Sequence, residues 1–325
     1  MKTGAGTLTV SGAALANTCN LTVAAGKVVF EGNSSTYGTE TMIIGLSTYH
    51  SDRDFLDSLA RAGVDCLELS LPGMDYAGFD YAAFAARARD AGLAIRSFHL
   101  PFYLAPEDGP VDPASLDADV RKRTAEVHAR FVRTAAAIGA RLAVVHACLE
   151  QHSEPRRAER IVRAKESLVA LADVAEPLGV AVCVENLPRT CLGNTAEELA
   201  DIVSCDERLR VCFDVNHLLY GTHADFLRLL GPKIVATHIS DYDFVNERHW
   251  LPGEGKIDWP ALMDGLDAAG YAGAFTYELG FKGDPRTVAR SRDLTPEDIV
   301  RNAREIEARH TLTVIGGGGL PNLPM

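Results

Sequence analysis

Eight short apolar runs, each followed by a stretch with helical spacing, recur from residue 42 almost to the end of the chain. They fall at 42–47, 64–70, 94–100, 141–147, 180–186, 209–215, 233–239 and 272–278, and their length and composition predict strands. In the intervening stretches Val120, Val127, Phe131 and Ile138 recur at steps of seven, four and seven, which traces one helix face. Ile161, Leu168, Leu171, Val174 and Leu178 do the same. Gly63, Gly92, Gly139, Gly179 and Gly270 each end a helical stretch before a strand, where a left-handed residue belongs. Thr195 with Glu198 matches a capping box, and Thr295-Pro296 sets an N-cap before a proline at the first helical position. Eight strand–helix units over ~270 residues predict an α/β chain folded as a (β/α)8 barrel. A doubly wound open sheet is the alternative, but no GxGxxG or P-loop sequence follows the first strand.

The ends have another character. Residues 1–40 are rich in Gly, Ser and Thr, with short alternations such as Lys27-Val28-Val29-Phe30, and read as a loosely attached β-type extension. Gly316-Gly317-Gly318-Gly319 reads as flexible chain. The expected organisation is an extension over 1–40, a barrel over 41–311 and a flexible tail over 312–325.

Composition narrows the function. Of 325 residues 47% are apolar, enough for a large core, while 44 acidic against 32 basic residues give a net charge of −12. Nucleic-acid binding depends largely on Lys and Arg, so nucleic acid is not the expected partner. No apolar run approaches the ~20 residues of a membrane helix, so no membrane partner is expected either. The seven cysteines form no close CxxC pair; Cys66, Cys183 and Cys212 lie in apolar runs, as small buried hydrophobes do. A reducing cytoplasm is the expected location. Lys2 and Ala14-Leu15-Ala16 imitate a signal peptide, but Gly4, Gly6, Ser11 and Gly12 interrupt its apolar region.

The chemistry sits at the strand ends. In a barrel of this type the active-site groups project from the C-terminal ends of the strands. Those ends carry Glu68, His99, His146, Glu185, Asp214, His238 and Glu278. So many carboxylates in one mouth repel each other unless protonated or neutralised, and a divalent cation resolves the conflict. Glu185, Asp214, His238 and Glu278 offer three oxygen ligands and one nitrogen, a set suited to Mn²⁺, Mg²⁺ or Co²⁺, with Zn²⁺ also admissible.

Residues 42–310 resemble the xylose isomerase-like barrels, which include sugar isomerases and epimerases, inosose dehydratases and endonuclease IV. The resemblance rests on Val184-Glu185-Asn186, Phe213-Asp214-Val215-Asn216-His217, His238-Ile239-Ser240-Asp241 and Arg248-His249-Trp250-Leu251-Pro252-Gly253-Glu254-Gly255-Lys256-Ile257-Asp258-Trp259. It implies that Glu185, Asp214, His238 and Glu278 hold the metal and that Glu185 and Glu278 also move protons. It further implies that His217 touches substrate or a further metal, or orients its neighbours. Endonuclease IV draws a three-zinc site from residues matching His99, His146, Glu247 and His249 as well, with Asp where this chain has Glu247. His217, His249, His146, His99, Glu247 and Glu68 are therefore candidates for substrate binding or a second or third ion.

The expected activity is proton transfer beside a carbonyl of a sugar, keto-sugar or polyol through an enediolate, as in an isomerase or epimerase. Alternatives are a dehydratase of the inosose type, a multi-zinc phosphodiesterase, and a scaffold subunit docking through its extension. Substrate, stereochemistry and any homo-oligomer stay open at this level.

Overall fold

A computed structural model describes residues 20–24, 27–31, 41–73, 75–105, 108–149 and 156–319. The chain divides into two compact units, Met1–Thr41 and Met42–Met325. In the first, β1 (Asn20–Ala24) pairs antiparallel with β2 (Lys27–Glu31), Asn20 opposite Glu31. The rest of the extension lies outside the described residues, as do Cys19 and residues 320–325 of the tail.

The second unit alternates strand and helix. It runs β3 (Ile44–Thr48), α1 (Arg53–Ala62), β4 (Cys66–Leu69), α2 (Tyr81–Asp90), β5 (Ala94–His99) and α3 (Ala118–Ala137). Then come β6 (Leu142–Val145), α4 (Arg157–Ala175), β7 (Ala181–Glu185), α5 (Ala196–Val203), β8 (Arg210–Asp214) and α6 (His223–Leu230). The last units are β9 (Ile234–Ile239), α7 (Trp259–Ala268), β10 (Phe275–Tyr277) and α8 (Pro296–Glu307). Strands β3 to β10 pair in parallel, and β10 closes the barrel by pairing with both β9 and β3, Phe275 opposite Thr237 and Ile44. Closure removes both edges and disposes of the open-sheet alternative. The five glycines expected after helices all hold positive φ, from 66° to 101°.

The core has two parts. A small cluster of Val144, Cys183, Cys212 and Ala236 is separate from the large one, in which Leu, Ile, Val and Phe of strands and helices pack together. Cys66, Cys183 and Cys212 are buried thiols, and burial pushes Cys183 up to about 12.

Three expectations need correction. The buried face of α3 is Thr124, His128, Phe131, Val132 and Ala135, with Val120 and Val127 half-buried on its flank. At α5 only half of the capping box forms. Thr195 Oγ1 accepts from Glu198 N at 3.2 Å, while the Glu198 carboxylate accepts from Gly193 N at 2.7 Å and pairs with Arg157. The tail is also not free over its whole length, because β12 (Gly316–Gly319) pairs antiparallel with β11 (Val288–Arg290). The physical reason is close approach: a Cβ at Gly319 would meet the Trp250 ring, and one at Gly316, where φ is +122°, would meet the Ala289 carbonyl. Missing side chains here permit pairing where the composition suggested freedom.

Candidate active site

The barrel brings the polar strand ends to one mouth. Glu68 lies in β4 just past a register shift, His99 ends β5, and His146 follows β6. Glu185 and Asp214 end β7 and β8, His238 is the penultimate residue of β9, and Glu278 follows β10. The loops after β8 and β9 supply His217, Glu247 and His249.

Nine of the ten sequence candidates fall into three donor groups: His99, His146 and Glu185; Glu185, Asp214, His238 and Glu278; and His217, Glu247 and His249. Within each group the donor atoms lie within 4.8 Å of one another. Glu185 belongs to two of them. Its Oε2 lies 3.2 Å from Nε2 of both His99 and His146, and its Oε1 lies 3.1 Å from His238 Nδ1 and 3.3 Å from His217 Nδ1. His238 Nδ1 is also 3.3 Å from Glu278 Oε2. Nε2 of His217 lies 3.1 Å from Glu247 Oε2, and Arg189 holds the other oxygen of Glu247 at 2.7 Å.

Glu68, the tenth candidate, has a different place. It is 1% exposed and accepts from Ser47 Oγ at 3.1 Å, Ser97 Oγ at 2.8 Å and His238 Nε2 at 2.8 Å. It orients His238 from below and stands in no donor group among the described residues. His99 does likewise with a carbonyl: its Nδ1 faces Leu100 O at 2.9 Å and its Nε2 faces Glu185. His249 Nδ1 faces Glu278 O at 3.1 Å, and His217 Nδ1 faces Asn186 O at 3.1 Å. An acceptor on one ring nitrogen fixes the tautomer and leaves the other nitrogen's lone pair for an ion, as at metal-binding histidines.

Three supporting residues stood in the sequence motifs without being given a role. Asn186 donates to Asp214 O and accepts from Asp214 N, both at 2.8 Å, which ties the end of β7 to the end of β8. Asn216 Oδ1 accepts from the backbone N–H of Arg248 at 2.8 Å and of His249 at 3.3 Å, holding His249 at a φ of +51°. Asp241 accepts from Gly253 N, Ile257 N and Trp259 Nε1, which folds the Trp250-to-Trp259 segment behind the mouth. The signal for Asn186 and Asn216 was their position one or two residues beyond a strand-end carboxylate. Phe102 was also missed; its ring stacks on His146 at 4.4 Å between centroids.

The electrostatics show a cluster balanced by protons. Burial works to raise the Glu185 carboxyl, but the imidazoles around it, His238 foremost, hold it well below the usual range. Burial pushes Asp214 up to about 7, with Glu278 and Glu185 adding to the rise against His217 and His238. Burial alone would lower His217, yet Asp214, Glu185 and Glu247 hold it well above an ordinary imidazole. Burial would lower His238 too, yet Cys212, Glu278, Glu68 and Glu185 around it hold it well above an ordinary imidazole. Asp214 is 0% exposed, and its Oδ2 accepts no hydrogen bond among the described residues. A buried carboxylate oxygen without a donor calls for a cation, so this ligand set fits a divalent metal. Above it opens a cavity of about 480 Å³ bounded by Phe102, His146, Arg189, His217, His249 and Glu278.

A family model described as "xylose isomerase-like TIM barrel" matches residues 56–305. The inosose isomerase of Bacillus velezensis is 33% identical over 151 residues, 43% of this chain and 51% of that protein. The L-ribulose 3-epimerase of Mesorhizobium japonicum is 29% identical over 236 residues, 69% of this chain and 73% of that one. Among solved structures, a D-tagatose 3-epimerase-like protein superposes with a TM-score of 0.67 at 23% identity, covering 82% of this chain and 96% of that one.

Proposed function

The chain belongs to the xylose isomerase-like TIM barrel family, and from that membership we propose that it is a divalent-metal-dependent isomerase or epimerase of a sugar, keto-sugar or related polyol. The observation that carries the reading is the buried convergence of Glu185, Asp214, His238 and Glu278, with Glu68 fixing the ring of His238. The names of the relatives, a sugar 3-epimerase and an inosose isomerase, support the substrate class. These four residues would hold Mn²⁺, Mg²⁺, Co²⁺ or Zn²⁺, which when bound polarises the substrate carbonyl and offsets the charge of an enediolate.

The chain's own residues divide the proton transfer. Glu278 is the most open of the four carboxyl and imidazole side chains, 23% exposed and bordering the cavity, so it takes the proton beside the carbonyl. Glu185, with the imidazoles of His99, His146 and His217 within 3.3 Å of its oxygens, returns one from the opposite side with their help. Return to the same carbon inverts it, and return to its neighbour isomerises the sugar. His217 and His249 border the cavity and orient the substrate hydroxyls.

The test is incorporation of solvent deuterium into keto-sugars and keto-inositols at saturating Mn²⁺, followed by NMR. Glu185→Gln and Glu278→Gln should each slow exchange about 10²–10⁴-fold. Each substitution should also loosen the metal, since both carboxylates stand in the four-residue donor group, and saturating metal should repair that defect and leave the slow exchange. Wild-type exchange in both variants would move the proton transfer to His249 or His146.

One observation favours a second reading. Glu185 is shared between two donor groups, and His217, Glu247 and His249 make a third, so the mouth has places for more than one ion. Hydrolysis of a phosphodiester by several zinc ions is the chemistry that would use them all. The net charge of −12 opposes binding of a polyanion. Cleavage of abasic-site DNA at an enzymatic rate by the zinc-loaded protein would replace the sugar reading with this one; no cleavage is expected.

A further inference from the structure

Beside the cavity over the strand ends lies a second one of about 850 Å³. The two share Ser70, Leu71, His249 and Glu278. The space above Glu278 therefore continues sideways, over the ends of β3, β4 and β10. Each cavity alone falls within the ~300–1,000 Å³ that usually houses a small molecule, so the pair exceeds the needs of one sugar ring.

The wall of the second cavity is a run of rings. Tyr49 stacks on His50 at 4.4 Å between centroids, His50 meets Phe55 at 5.5 Å, and Phe55 meets Phe281 at 5.8 Å. Tyr49 is 40% exposed, and no role in the core or in the donor groups accounts for that. Lys282 and Asp52 also line the cavity, one charge of each sign, so it does not select a phosphate or carboxylate tail. The exposed ring of Tyr49, beside the half-buried rings of Phe55 and Phe281 and a mixed polar rim, matches the apolar C–H faces and hydroxyl edges of a pyranose.

We propose that this cavity is a subsite for a glycosyl substituent, so that the substrate is a keto-sugar bearing a second pyranose ring. The proposal rests on the sugar reading above. The reacting ring lies over Glu185 and Glu278, and the second ring lies against Tyr49 and Phe281, its hydroxyls meeting Asp52 and Lys282.

The test uses the full chain loaded with Mn²⁺. Binding of cellobiose and of glucose is measured by saturation-transfer NMR titration in wild type, Tyr49→Ala, Phe281→Ala and Tyr49→Phe. Solvent exchange of 3-keto-cellobiose and 3-keto-glucose is followed in parallel, and circular dichroism checks that each variant is folded. Wild type should bind cellobiose at least tenfold more tightly than glucose. Each alanine variant should remove most of that preference and leave glucose within about twofold, while Tyr49→Phe, which keeps the ring, should retain it. Equal affinity for the two sugars in wild type, or equal weakening of both in the alanine variants, overturns the subsite. The two readings fail separately. Ring-dependent cellobiose binding with no exchange in any keto-sugar sinks the isomerase reading and leaves the subsite standing. Exchange of 3-keto-glucose without a cellobiose preference does the reverse.

Discussion

At the scale of single residues, burial decides which histidines titrate. His128 on α3 is buried beside the site, with Nε2 facing Pro101 O at 3.1 Å, but no carboxylate among the described residues pairs with it. Burial therefore lowers its pKa to about 4, against the rise that the Pro101 contact would give. Above about pH 6.5 the ring is neutral in both folded and unfolded chains. As the pH falls below that, the unfolded chain binds a proton that the folded one refuses. The stability tied to His128 is thus fully present above about 6.5, is lost as pH falls towards 4, and changes no further below. The full loss is on the order of 3 kcal/mol. His128→Gln, which keeps a donor for Pro101 O, should remove that part of the acid slope. Urea titrations of both proteins at pH 7 and pH 4.5 measure it; parallel slopes would show that His128 is not the buried neutral group.

At the scale of elements, the strand–helix alternation was legible because each strand end coincides with a change of hydrophobic period. Seven of the eight strands of the barrel fall inside the predicted runs, and β3 passes its run by one residue, Thr48. The side-chain content of α3 was less legible. Its buried face includes Thr124 and His128, whose burial depends on partners in other elements: Thr124 Oγ1 accepts from Asp112 N at 2.9 Å, and His128 meets Pro101. Hydrophobic periodicity cannot find positions that are buried because a distant backbone group needs them. The site followed the same division. Ligand candidates sat at strand ends and were visible, whereas Asn186 and Asn216 act on backbone groups across neighbouring units. The glycine tail misled for a third reason, since composition records the missing side chain but not the surface that demands it. That surface is testable. Gly319→Val should cost about 1–3 kcal/mol by overpacking against Trp250. Gly317→Ala, whose Cβ would sit an ordinary 3.6 Å from Ala289 Cβ, should stay within ~0.5 kcal/mol. Thermal melts with Trp fluorescence compare the two; equal tolerance would mean that β12 does not hold in solution.

At the scale of the whole molecule, the barrel gathers acidic groups at one end and balances them internally with protons. His217 and His238 are held in the charged form by the carboxylates around them, and Asp214 is pushed up to about 7. A metal ion needs the lone pairs that those protons occupy, so binding must expel them. The sign follows. These groups have raised folded-state pKa values, so acid favours the ion-free protonated cluster and rising pH favours the metal. Apparent Mn²⁺ affinity should therefore increase steadily from pH 6 to pH 8, with more than one proton released per chain near pH 7. Calorimetry in buffers of different ionisation enthalpy counts those protons. The bound ion should also stabilise the fold, by roughly 2.7 kcal/mol at a free concentration a hundred times its Kd, and EDTA should reverse the gain. Asp214→Asn separates the cause from a general effect of pH, because it removes a ligand and the anion that contributes most to holding the His217 proton. Its metal affinity should fall while the number of protons released also falls. Binding that releases no protons in wild type would mean that the imidazoles are already neutral, and that the carboxylates at this mouth are balanced in some other way.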